Sequence, residues 1–322
     1  VQDYEQALFD EPLVSTRKLR LLSSITFIHL LSGELVKAEQ MSRWLTDTAS
    51  SNGNAYVGSW ASYMLGICHF RWNNLETAVQ IFQEAVEQIY AMDNNAPVDV
   101  YAGLIFSFQA LQLPDKAAEV MNTLLEFVLQ SNNPDFTNLA QSVQARLALM
   151  QGNHEAAIRW LKTTDLSFDE GTTLFWVDVP RLNQCRVLIA QGTESSLSQA
   201  ILKLEEHWQF SQATQNIPMM IHILLLQTLA HRKQGETNKA IDALEHAVTL
   251  ARPGGWIQPF VEMGPELVEL LQQLGKQGVA PDYLAQLVAE IADVPDSGAG
   301  VSEDQLQNAN LHNELVEQLT YR

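Results

Sequence analysis

Basic side chains are scarce in this chain: 19 Lys and Arg stand against 38 Asp and Glu, a formal charge of −19 over 322 residues. Such a field repels a phosphate backbone instead of drawing it in by counterion release, so this chain by itself is not expected to bind nucleic acid. Cysteine is nearly absent. Cys68 and Cys185 lie far apart and form no CxxC pair, which argues against a disulfide framework and fits a reducing, cytoplasmic compartment. The longest apolar run, "PMMIHILLLQTLA", is interrupted by His222 and Gln227 and falls short of the roughly 20 residues a membrane span requires. Strand signals are essentially missing as well.

Catalytic and cofactor signatures are also lacking. "GNHEAAIRW" begins like HExxH but carries Ile158 where the second histidine must stand, so the helical ligand pair is not formed. His222 and His231 would face different sides of a helix, and the His residues in general read as structural or exposed. No GxSxG elbow, catalytic acid pair or Cys/His signature stands out. No GxxxxGK[ST] loop occurs, and "LGKQG" lacks both the leading glycine and the hydroxyl residue that meets magnesium. The expectation is a protein that is not an enzyme, holds no metal and carries no cofactor of its own.

What is present is a period. Hydrophobic residues make up 46% of the chain, ample for a packed core. Six stretches share one pattern, an apolar run, a polar turn, then an Ala that opens a second apolar-periodic run: "LLSGELVKAEQ", "FRWNNLETAVQIF", "LQLPDKAAEVM", "LMQGNHEAAIRWL", "IAQGTESSLSQAILKL" and "RKQGETNKAIDAL". The alanines Ala38, Ala78, Ala118, Ala157, Ala200 and Ala240 are spaced by 40, 40, 39, 43 and 40 residues. Four positions on, Phe82, Leu161, Leu204 and Leu244 fall on the same helical face. Gly33, Gly152 and Gly235 each precede the Ala by five, where a left-handed cap ends a helix without steric cost. Asn133 and Pro134 read as an N-cap and first helical position. Each unit is therefore a helical hairpin, and because one hairpin cannot bury its own apolar face, neighbours must stack. The expected fold is all-α, a right-handed superhelix or solenoid of about six hairpins over residues 1–252. Capping helices at 253–294 should cover the last exposed face, one restarting after Gly264-Pro265 and another from about Pro281. A Gly, Ser, Pro and acid-rich linker and tail follows at 295–318.

The unit resembles the tetratricopeptide repeat, best seen in "LGICHFRWNNLETAVQIFQEAVEQ", where Gly66, Ala78, Phe82 and Ala85 occupy that family's small, small, large and small positions. The units run longer than its usual length of about 34 residues. Two further stretches, "VPRLNQCRVLIAQG" and "ARPGGWIQPFVEMGPELVELL", resemble segments of the MalT-like regulators of the LuxR family, with Cys185 where Ala is common and Gln258 where Arg is common. The terminal "LTYR" is similar to the Leu-Thr-x-Arg that opens the DNA-reading helix-turn-helix of that family. The resemblance implies that residues 319–322 are the first of such a domain, with Leu319 in its core and Thr320 capping its first helix. The chain also opens without an initiating Met or a targeting segment.

The same resemblance implies a sensor region that binds a small-molecule inducer or a regulatory protein. ATP would be bound only by a separate N-terminal module and DNA only through the C-terminal helix-turn-helix, with the full protein self-associating when active. No membrane contact is expected. First helices of tetratricopeptide-like stacks line a concave groove, and Trp60, Tyr63, Arg71, Arg146, Trp176, Arg186, His222 and Arg232 fall on or beside them. They could present aromatic and cationic contacts to a carboxylate, phosphate or peptide. The alternative is that the arginines pair with carboxylates of this acidic chain. By contrast, Trp44, Trp160 and Trp208 sit on second helices and are expected to pack between repeats. A generic interaction scaffold without a transcriptional role would explain the repeats equally well, but not "PGGWIQPFVEMGP" or "LTYR".

Overall fold

A computed structural model describes residues 16–164 and 177–293, which are helical with no strand among them. Six hairpins follow one another: α1 (Thr16–Leu31) with α2 (Leu35–Asn52), α3 (Ala55–Arg71) with α4 (Leu75–Glu87), α5 (Ala96–Ala110) with α6 (Pro114–Ser131), α7 (Pro134–Met150) with α8 (His154–Thr163), α9 (Pro180–Gln191) with α10 (Glu194–Ala213), and α11 (Ile217–Lys233) with α12 (Thr237–Ala251). Inside each hairpin the chain reverses through one left-handed residue: Gly33, Asn73, Gln112, Gly152, Gly192 and Gly235. These are 40, 39, 40, 40 and 43 residues apart and mark the true register of the repeat. Asn133 caps α7 as its sequence implies, its Oδ1 accepting from the Asp135 amide at 3.0 Å ahead of Pro134.

Five residues beyond each turn a side chain is buried against the partner helix: Ala38, Ala78, Ala117, Ala157, Leu197 and Ala240. Two of these differ from the sequence-derived register. Ala118 is exposed and its neighbour Ala117 is buried, while in the fifth hairpin Leu197 takes the place and Ala200 is buried three residues further along the helix. Leu161 is only partly buried, unlike Phe82, Leu204 and Leu244. Phe82 shows why small residues recur. A Cβ on Gly66 of α3 would stand 2.6 Å from its ring and one on Gly103 of α5 2.5 Å, so the ring fills the notch where three helices meet. Trp160 is buried and Trp208 packs against the core, but Trp44 is 41% exposed and does not serve as repeat packing.

The first helices lie side by side in the order α1, α3, α5, α7, α9, α11, and α11 returns to touch α1, so the superhelix closes into a ring. They are the inner layer: nearly every residue of α3 and α5 is buried, whereas α4, α6 and α12 bury one stripe. Burial on all sides requires something inside the ring. It is the C-terminal segment. After a tight turn at Arg252–Gly254 the chain enters the ring as α13 (Gln258–Met263), which packs on α11 and α3, then leaves through a second turn into α14 (Val268–Lys276) and α15 (Pro281–Ala292). Helix α14 does cover α12, as a cap should. The stretch before it, Trp256 to Met263, fills the ring, a place the sequence does not reveal. Trp256 and Phe260 are 1% and 0% exposed there, each contributing about 1.5–3 kcal/mol of burial.

The "PGGW" turn is where the two ends of the stack meet. A Cβ on Gly254 would overlap the Gly33 carbonyl, so only glycine permits the approach. Trp72 Nε1 donates to the Gly254 carbonyl at 2.8 Å, Trp256 Nε1 to the Gly33 carbonyl at 3.2 Å, and the Ile257 amide to the Arg71 carbonyl at 2.9 Å. Behind them Tyr283 donates from its hydroxyl to the Trp256 carbonyl, and Asn73 Nδ2 donates to Glu290 at 3.0 Å. No helix among the described residues is long and apolar enough to cross a membrane.

Candidate functional site

Six charged side chains meet inside the ring, each delivered by a different part of the repeat. Arg71 comes from the last turn of α3, Asp99 from the first turn of α5, Arg146 from α7, Asp178 from the segment before α9, Arg186 from α9 and Glu262 from α13. Arg146 and Arg186 are one repeat apart on adjacent first helices, so the period itself brings two cations together. Two guanidiniums buried to 1% and 9% side-chain exposure need a counter-ion. Glu262 supplies it. Arg146 grips the carboxylate in a fork, Nε to Oε1 at 2.9 Å and Nη2 to Oε2 at 2.6 Å, and its Nη1 donates to the Val177 carbonyl at 2.5 Å. Arg146 also stands 3.6 Å from Asp178 and stacks over Phe106 with 4.1 Å to the ring centre.

The acids are as firmly held. Asp99 accepts from the amides of Val177 and Asp178 at 3.0 and 2.8 Å and from the Tyr63 hydroxyl, which fixes the segment before α9 against the wall of the ring. Asp178 accepts from Ser142 Oγ at 2.8 Å and from Asn183 Nδ2 at 2.7 Å. Asn183 in turn accepts from Arg186 Nη1 at 3.1 Å.

Charge states follow from burial and neighbours. Burial alone would raise the Glu262 pKa, but Arg146 and Arg186 outweigh it and hold the carboxyl well below the ordinary range. Burial, reinforced by the adjacent Arg146, lowers Arg71 to about 9 and Arg186 to about 10, so both remain cations at neutral pH. For Arg146 the burial effect is exceeded by Glu262 and Asp178, and its pKa is raised. His222 is buried beside Arg71 and Arg186, is pushed well below 6.5 and is neutral. Burial likewise pushes up both thiols, Cys185 to about 12, which leaves neither as a ready nucleophile.

Of the residues singled out in the sequence, Tyr63, Arg71, Arg146, Arg186 and His222 are gathered in or against this cluster. Trp60 stands one step away, half-buried and edge-on to Tyr63 at 5.9 Å between ring centres. Arg232 is apart from them, at the outer end of α11, donating to the Glu266 carbonyl and to Glu269 at 3.2 Å. Trp176 lies outside the described residues. Sequence reasoning missed Asp99, Asp178, Asn183 and Glu262. The available signal was a lone acid in an otherwise apolar helix, Asp99 in "APVDVYAGLIF" and Glu262 in "QPFVEM", since a carboxylate is seldom buried without a cation to meet it.

The arrangement has neither a nucleophile nor a paired general acid and base. Its chemistry is electrostatic: a segment from the far end of the chain is held inside the ring by a carboxylate that two wall arginines share. Among known protein families, the one described as the MalT-like TPR region matches residues 10–277, a span that includes all six hairpins, the ring-filling segment and α14. No match to a curated protein was found. The closed stack of hairpins and the matched span agree, and the chain belongs to the family of MalT-like TPR regions.

Proposed function

We propose that this chain is the sensor region of a MalT-like transcriptional activator, in which an inducer or a regulatory protein binds on the inner face of the ring. The observation that carries this reading is the Glu262 latch within the family-matched span. Contact with the wall arginines is contact with the counter-ion of the segment that runs on toward residue 293. An effector that prefers one arrangement of that segment shifts its population, and one that binds both arrangements equally shifts nothing. In this reading ATP belongs to a separate N-terminal module and DNA to a helix-turn-helix beyond Arg322. The activator works in the cytoplasm and self-associates once the effector is bound.

The parent reading frame tests this directly. It should continue past Arg322 into a helix-turn-helix and carry a Walker-type loop upstream of Val1. An unrelated domain after Arg322 would replace the regulator by an interaction scaffold. The purified chain, at −19, should leave promoter-length DNA unshifted in a gel at physiological salt. Tight DNA binding there would overturn the proposed division of labour.

A further inference from the structure

We propose that a pocket beside the latch binds a small organic monocarboxylate with an apolar body, an inference that names the ligand class of the sensing site and rests on that reading. The pocket, of about 240 Å³, opens between α7, α9 and α11 on one side and α13 with the turn after it on the other. Its floor is Arg146, Arg186 and Glu262, and Lys233, His154 and Glu266 stand exposed at its mouth.

Arg186 is the reason for an anion. Both oxygens of Glu262 are taken by Arg146, and Arg186 Nε stands 3.6 Å from Oε1, beyond hydrogen-bonding reach and with no other acceptor among the described residues. Among the described residues this guanidinium donates one hydrogen bond, to Asn183, which is itself fixed by Ser142 and Asp178. A buried, oriented guanidinium with donors to spare is a receptor for a planar carboxylate. The charge balance of the lining favours a single negative charge. Arg146, Arg186 and Lys233 face Glu262 and Glu266, and Asp178 behind Arg146 brings the set to balance, so a monoanion adds one uncompensated charge where a doubly charged phosphate adds two. Asp178, behind Arg146, is already engaged by Ser142 and Asn183.

The remaining wall is apolar, with Leu149, Ile189, Leu226, Leu229 and Met263 around the space above the guanidinium, and this calls for a hydrocarbon or aromatic body. A larger hollow of about 570 Å³ between α6, α7 and α8 offers no buried charge among the described residues, its one charged lining residue there being the exposed Arg159. A carboxylate on Arg186 would also weaken the pull of that arginine on Glu262, so occupancy and latch are coupled.

Calorimetry on the 322-residue chain, with hexanoate and 3-phenylpropionate as probes and 1-hexanol and inorganic phosphate as controls, tests the proposal. At least one carboxylate should bind saturably and about tenfold or more tighter than either control. Arg186→Lys should weaken it about tenfold, because the cation stays and the fork is lost. Ala190→Trp, which puts an indole into the pocket one helical turn from Arg186 and leaves every charged side chain in place, should abolish binding while the helical circular dichroism and melting transition persist. Equal affinity for hexanoate and hexanol, no saturable binding of either carboxylate, or undiminished binding to Ala190→Trp would each overturn it. The two readings fail separately. Carboxylate binding without any promoter response of the parent protein would keep the pocket and remove the sensing role, whereas an effector response that survives Ala190→Trp would keep the sensing role and remove the pocket.

Discussion

Replacing Glu262 by Gln keeps the shape of the side chain and removes its charge, leaving Arg146 and Arg186 buried with their shared counter-ion gone. Breaking a buried pair from one side typically costs about 3–5 kcal/mol, and urea unfolding of Glu262→Gln should show a loss of that order. The same group sets an acid limit. A carboxyl depressed in the folded state contributes stability that is complete above the ordinary value near 4.5 and is lost as pH falls below it. His222 acts one window higher: kept neutral by burial and by Arg71 and Arg186, it fails to take the proton the unfolded chain takes, so stability declines as pH drops through about 6.5. Melting curves from pH 7.5 to 3.5 should therefore fall in two stages, the upper flattened by His222→Asn and the lower by Glu262→Gln. None of these pairings could be read from spacing, because Arg146 and Glu262 are 116 residues apart. Arg71, Arg146 and Arg186 were legible as groove-side positions and Glu262 as an isolated acid, but which acid meets which cation follows only from the closure of the ring.

The hairpin was the most legible unit, and the error within it has a clear cause. Glycine announces a left-handed turn at Gly33, Gly152 and Gly235, but Asn73 and Gln112 adopt the same backbone with φ of 64° and 59° without announcing it. Without that marker, "PDKAAEV" offers two adjacent alanines, and the 40-residue spacing from Ala78 favours Ala118 over Ala117. The structure makes the two unequal, Ala117 being 0% exposed against α5 and Ala118 facing solvent. Ala117→Trp should cost about 1–3 kcal/mol or more by overpacking, whereas Ala118→Trp should stay within about 0.5 kcal/mol of the parent. Chemical denaturation of the pair is a direct check on the register of the third hairpin.

Open stacks of helical hairpins hold only neighbouring units together, so their stability is nearly a sum of local terms. Closure changes that here, since Gly33 and Trp256 are 223 residues apart in sequence and joined by a hydrogen bond, and Trp256 also sits beside Arg71 with 5.6 Å from ring centre to guanidinium. Trp256→Ala should cost about 3–5 kcal/mol and reopen the seam, so that native-state hydrogen exchange rises in α1 and α11 together although neither contains the substitution. Exchange confined to the neighbourhood of residue 256 would mean that the ring does not couple its ends. Closure also imposes an order on biosynthesis. Arg71 leaves the ribosome long before Glu262 is made, and at about 5–20 residues per second the two are separated by roughly 10–40 s. During that interval the inner faces of α3 and α5, apolar and meant for the interior, have no segment to fill the space between them. Until α13 emerges, the nascent chain therefore presents apolar surface of the kind that chaperones bind.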